Sequence, residues 1–189
     1  MSKYSDDPTF RLNRYIESNL RSESVIPPVG EYVTDTDTQS GWNIRFMIPG
    51  SQQPENMSQY ENSSKSFKNL PFCVYTMKDN ESDLWERSGL VTYTFYADSV
   101  DKLTEIKNCV IDLVNREDWS AADINYFHRN DPNYAFDFKT VSLQLSAGPQ
   151  PPGDQDGRSS YLCSVYWCAT YEGTGRNGNY EIHQNLGRI

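Results

Sequence analysis

The chain has 189 residues, a formal net charge of -9, 37% hydrophobic and 13% aromatic residues, and a mean hydropathy of -0.74. That length predicts one domain with decorations, and the acidic balance argues against a general nucleic-acid binder, whose affinity comes from cations set against phosphates. No early apolar run follows Met1-Ser-Lys-Tyr-Ser-Asp-Asp7 and none later approaches the roughly 20 residues of a spanning helix, so a soluble chain with no membrane partner and no recognisable secretion signal is expected.

In chain order, Asp6-Asp7-Pro8-Thr9 is a helix-start signal, and Phe10, Asn13, Tyr15, Ile16 and Leu20 follow at loose helical spacing, which predicts a helix over about 9–21. Residues 23–69 are rich in Pro, Ser, Gln, Asn and Asp and read as an extended arm or loop region. Within it Trp42, Ile44, Phe46 and Ile48 alternate with Asn43, Arg45 and Met47, as in a strand that covers a sheet edge or meets a neighbouring chain. Leu70–Met77 is a strand and 78–83 an exposed turn, closing a hairpin with the strand over 88–97. That second strand reads as central, because β-branched and aromatic residues fill both its faces: Leu90, Thr92, Thr94 and Tyr96 on one side, Val91, Tyr93, Phe95 and Ala97 on the other.

Asp98 or Ser99 then caps a helix over about 100–116, whose apolar row is Val100, Leu103, Ile106, Cys109, Val110, Leu113 and Val114. Ser120-Ala-Ala-Asp123 is a weaker capping box and predicts a short helix over about 121–127. Val141, Leu143 and Leu145 mark one face of a half-buried strand over 136–146. The Pro- and Gly-rich stretch 148–157 is expected to project as a loop that cannot join a sheet, and 161–171 is the returning strand. The polar tail over 173–189 ends the chain. The expected fold class is α+β: a small, mainly antiparallel sheet of two hairpins with a long helix and shorter helices packed on one face, plus long loops and arms. It is read as a single domain over 1–189 with its core at about 70–172.

Raw material for chemistry is sparse. Gly173-Thr-Gly175-Arg-Asn-Gly178 has dinucleotide-fingerprint spacing, but it opens no βαβ unit, so it reads as tail and no cofactor is expected. Cys73, Cys109, Cys163 and Cys168 lie inside apolar patterns, as free thiols do in a reducing compartment, which leaves the sequons at Asn56, Asn62 and Asn80 idle. Cys163 and Cys168 face opposite sides of one strand and cannot share a metal. With only His128 and His183, hydrolytic triads are not expected. Asp79, Glu81 and Asp83 fall in an exposed turn with nothing to perturb them.

Leu70-Pro-Phe, the acidic turn, Leu84-Trp-Glu-Arg, Val91-Thr-Tyr-Thr-Phe-Tyr96, Val100-Asp-Lys-Leu-Thr-Glu-Ile and Trp119-Ser-Ala-Ala-Asp-Ile-Asn125 together resemble the tail terminator, or tail-completion, proteins of tailed bacteriophages. The resemblance covers about 70–172, in the order hairpin, long helix, short helix, hairpin with a long loop. It implies a non-enzymatic virion protein of the phage neck, assembled in the host cytoplasm. In that family a homo-oligomeric, hexameric ring caps the tail tube, ends tail polymerisation and joins the tail to the head-side connector or stopper protein, while DNA passes transiently. Trp42, Phe46, Trp85, Arg87, Gln150, Arg158 and Arg176 are candidates for subunit or partner contacts, and Asp154 and Asp156 for a channel wall that does not hold phosphates. Another head–tail connector or stopper is the alternative, followed by a small acidic binding module or an enzyme.

Overall fold

The computed structural model describes residues 7–29, 32, 45–52, 70–80, 86–116, 118–131, 136–152 and 157–170. Among the described residues are three α-helices, α1 (Pro8–Ser22), α2 (Val100–Val114) and α3 (Asp118–His128), a 3-10 turn (Gly50–Gln52), and five strands, β1 (Met47–Pro49), β2 (Phe72–Asn80), β3 (Glu86–Ala97), β4 (Asp137–Ser146) and β5 (Ser159–Thr170). The strands make one sheet in the order β1-β2-β3-β5-β4, with β1 parallel to β2 and every other pair antiparallel. The fold is α+β: two hairpins, β2–β3 and β4–β5, joined side by side through β3 and β5, with β3 at the centre. No described helix is long and apolar enough to cross a membrane.

The two faces of β3 divide as strict alternation requires. Val91, Tyr93, Phe95 and Ala97 are fully buried, and the register sets Tyr93 opposite Cys163 and Phe95 opposite Tyr161. Phe95 stacks on Tyr161 at 5.8 Å and lies 5.9 Å from Tyr93, while Val165, Trp167 and Ala169 extend the same apolar face along β5. The helices cover this face. Ser99 caps α2, its Oγ accepting from Lys102 N at 3.2 Å, and Leu103, Ile106, Val110 and Val114 turn inward at helical spacing. Val100, at the joint itself, stays 39% exposed rather than joining that row.

Several expectations need correction. The helix α1 is present where expected but runs a residue further at each end, Pro8–Ser22, and so equals α2 at 15 residues. In α3 the helix begins at Asp118, not after a Ser120 cap: the Ser120 Oγ accepts instead from Arg116 N at 3.1 Å and closes the corner with α2. On β4 a register shift between Leu143 and Leu145 ends the alternation, so Val141 is buried while Leu145 is 51% exposed. The 148–157 loop does touch the sheet, because Gln150 and Ser160 exchange backbone hydrogen bonds of 2.7 and 3.2 Å before the two prolines. On β1 the alternation fails as well: Phe46, Met47 and Ile48 are all buried, although the strand does cover the edge of β2 as expected.

The opposite sheet edge is protected by a side chain. Asn125 of α3 accepts from Phe138 N at 2.8 Å and donates to Phe138 O at 2.9 Å, standing in for a neighbouring strand at that point of β4. A second close fit lies at Gly89, directly opposite Trp167: a Cβ there would fall 2.7 Å from the indole ring.

Two substitutions test this packing. Ile106→Ala should destabilise the protein by about 2–5 kcal/mol, the range for large-to-small changes in a core, and an unchanged melting temperature would place Ile106 outside the core. Gly89→Ala should also lower the melting temperature, because the buried Trp167 ring must move to admit the methyl group.

Candidate assembly surface

Helix α1 is set on the sheet by polar contacts that sequence periodicity does not reveal. Asp7 caps it, Oδ1 accepting from Thr9 N at 2.7 Å, with Pro8 opening the first turn. Trp167 Nε1–H donates to Thr9 Oγ1 at 3.0 Å, and the Tyr93 hydroxyl donates to Asn13 Oδ1 at 2.7 Å; all four residues are buried. Thr9 and Asn13 are four residues apart and so share one side of the helix. Burial pushes the Tyr93 phenol well above its ordinary value, which keeps it a donor.

The other flank of α1 meets α3. The Arg11 guanidinium, fully buried, is ion-paired with Asp131, and His128 Nε2 lies 3.0 Å from the Arg11 carbonyl. A carbonyl only accepts, so Nε2 carries the proton. Burial, with help from the Arg11 and Arg14 charges, lowers His128 to about 4 against the opposing pull of the Arg11 carbonyl and Asp131, so the ring is neutral at pH 7. Tyr15 meets Phe127 edge-on at 5.6 Å, and the Phe127 ring meets His128 at 4.7 Å.

The outer side of this contact is rich in exposed aromatic groups. Phe10, Phe127 and Tyr126 are 39%, 40% and 66% exposed, and Trp119 at the start of α3 reaches 74%. The Arg129 guanidinium lies 3.7 Å from the centre of the Tyr126 ring, and Arg14, about half exposed, stands 3.8 Å from Asp131. Exposed aromatic rings with arginines among them are the composition of protein-contact surfaces. Helical spacing puts Phe10 in the α1 pattern and marks no surface on α3, because aromatic residues around a short helix look the same in sequence whether they turn in or out.

Three buried thiols are poorly placed to act as thiolates. Burial pushes the Cys73 thiol well above its ordinary value, Cys163 up to about 12 and Cys168 up to about 11, so these thiols stay protonated. Among the described residues no group of three or more His, Cys, Asp and Glu side chains could hold a metal.

The candidate contact residues among those described form no single exposed surface. Trp42, Trp85, Arg176, Asp154 and Asp156 lie outside the described residues. Phe46 is corrected from a contact residue to a core residue: it is fully buried, with Tyr32 edge-on at 6.5 Å and Phe95 at 6.2 Å. Arg158 is likewise buried rather than presented to a partner, since Nη1 donates to Leu70 O at 2.7 Å and the guanidinium sits 5.1 Å from the centre of the Phe72 ring. Arg87 pairs with Asp79 at 3.3 Å across β2 and β3, near the surface. Gln150 is exposed, its Nε2 donating to Gly148 O at 3.0 Å. Because Glu86 faces Thr170 and Ala97 faces Ser159, Arg87 and Arg158 stand at opposite ends of the sheet, roughly 36 Å apart along the strands at about 3.3 Å per residue.

No protein-family model matches the chain, and no curated protein matches it.

The neutral, buried His128 predicts an acid sensitivity. Its folded pKa of about 4 lies below the ordinary 6.5, so the unfolded chain takes up the proton first. The stability is therefore complete above pH 6.5 and falls as the pH drops toward 4, by up to ~3 kcal/mol. Chemical denaturation of wild type and His128→Gln at a series of pH values checks this; the variant should lose less stability across that window, and parallel curves would contradict the assignment.

Proposed function

We propose that this protein is a structural component of a bacteriophage neck, forming a ring that caps the tail tube, ends tail polymerisation and joins the tail to the head-side connector. The supporting observation is the order of elements over 72–170: hairpin β2–β3, helix α2, helix α3, hairpin β4–β5. That is the order in which the sequence phrases resemble the tail terminator proteins. In this reading the chain acts by binding other proteins, which agrees with protonated thiols, a neutral histidine sealed between helices and an aromatic surface on α1 and α3. The protein works in the virion after assembly in the host cytoplasm, and DNA crosses the ring without being held, as suits a chain of net charge -9.

Electron microscopy of particles assembled with this reading frame disrupted tests the proposal. Tails of irregular, extended length that fail to join heads are expected, with normal length and joining restored by protein supplied in trans. Tails of normal length beside unjoined heads would favour a connector or stopper, and joined particles of normal form would overturn the neck assignment.

A further inference from the structure

We infer that the aromatic and arginine patch shared by α1 and α3 docks against the acidic stripe of α2 in a second copy of this chain. The inference deepens the ring reading and rests on it. The patch is Phe10 and Arg14 from α1 with Tyr126, Phe127 and Arg129 at the end of α3; its rings are 39 to 66% exposed and both arginines reach the surface. Arg129 is already ordered, its guanidinium over Tyr126 at 3.7 Å and Nη1 bonded to Tyr126 O at 2.7 Å, so little side-chain freedom remains to be lost on docking. The nearby acid, Asp131, is ion-paired with Arg11 and stands 3.8 Å from Arg14.

The complementary surface is on α2. Asp101, Glu105, Asn108 and Asp112 are all exposed and recur at spacings of four, three and four, so they form one stripe along the helix, about 16 Å long at 1.5 Å per residue. Glu105 carries an ion pair with Lys102 at 2.6 Å, Asn108 is neutral, and Asp101 and Asp112 supply the other two carboxylates. Patch and stripe are unlike surfaces on different helices, and a contact made between them in one direction only is head-to-tail, the kind that repeats around a ring when its rotation closes. The apolar rings supply buried area and the opposite charges set the register.

Two double variants of the full chain test the contact by sedimentation velocity: Arg14→Glu with Arg129→Glu, which makes the patch acidic, and Glu105→Arg with Asp112→Arg, which makes the stripe basic. Wild type should self-associate with rising concentration, less at high salt. Each variant alone should associate at least tenfold more weakly, while an equimolar mixture should assemble, because each variant then meets an oppositely charged surface. Circular dichroism verifies folding; should the first variant lose helix, Tyr126→Ala with Arg129→Ala replaces it, with at least tenfold weaker self-association expected. Three results overturn the inference: wild type monomeric up to about 1 mM, the weak end of specific association; variants that assemble as wild type does; or folded charge variants whose mixture stays monomeric. Undiminished assembly of the variants would refute this surface and leave the ring intact, whereas the neck assignment stands or falls on the particles made without the protein.

Discussion

The Tyr93 hydroxyl and the Trp167 indole N–H are buried on the helix-facing side of the sheet, and each needs an acceptor that the sheet does not provide. A buried polar group left without a partner costs about 1–3 kcal/mol. Helix α1 supplies both acceptors, Asn13 and Thr9, from one side of its first turns. This fixes the helix in position along its length, which apolar packing alone does loosely. Once α1 is so placed, its Arg11 meets Asp131 and its backbone meets His128, and α3 is locked beside it. The helix layer thus follows from two hydrogen bonds at the centre of the sheet. The exposed aromatic groups of α1 and α3 are held outward by the same contacts.

The parts of this architecture legible in the sequence are those governed by periodicity. The faces of β3, the inward row of α2 apart from Val100, and the α1 cap follow from local pattern, since alternation and helical spacing report which side a residue takes. Residues whose fate depends on distant partners were not legible. Phe46 looks like one member of an exposed alternation until Tyr32 and Phe95 enclose it. Arg158 reads as a surface charge, yet its guanidinium covers Phe72 and binds the Leu70 carbonyl. Ser120 has the local signature of a cap, but the nearer free amide of Arg116 takes its hydroxyl. Leu145 was misplaced by a bulge, which local alternation does not announce. The α1 and α3 patch carries no local signature, because its residue types are those of a core.

The two sides of the sheet are suited to different tasks. One carries the helices and the continuous aromatic core. On the other, Leu90, Thr92, Thr94 and Tyr96 of β3 are half-buried and uncharged, and Thr92 shares a 3.0 Å hydroxyl contact with Ser164 of β5. The strand edges are guarded: β1 is three residues long and ends in Pro49, while β4 carries bulges and the Asn125 amide at Phe138. Such edges disfavour uncontrolled strand pairing. Association through helix faces is compatible with edges guarded in this way.

The most direct measurement is to image purified tail tubes after addition of this protein. The account predicts density at one end of each tube only, with the cyclic symmetry of a closed ring, and a tube that no longer elongates. Protein bound along the sides of the tubes, or tubes that keep growing with no added density at their ends, would contradict it.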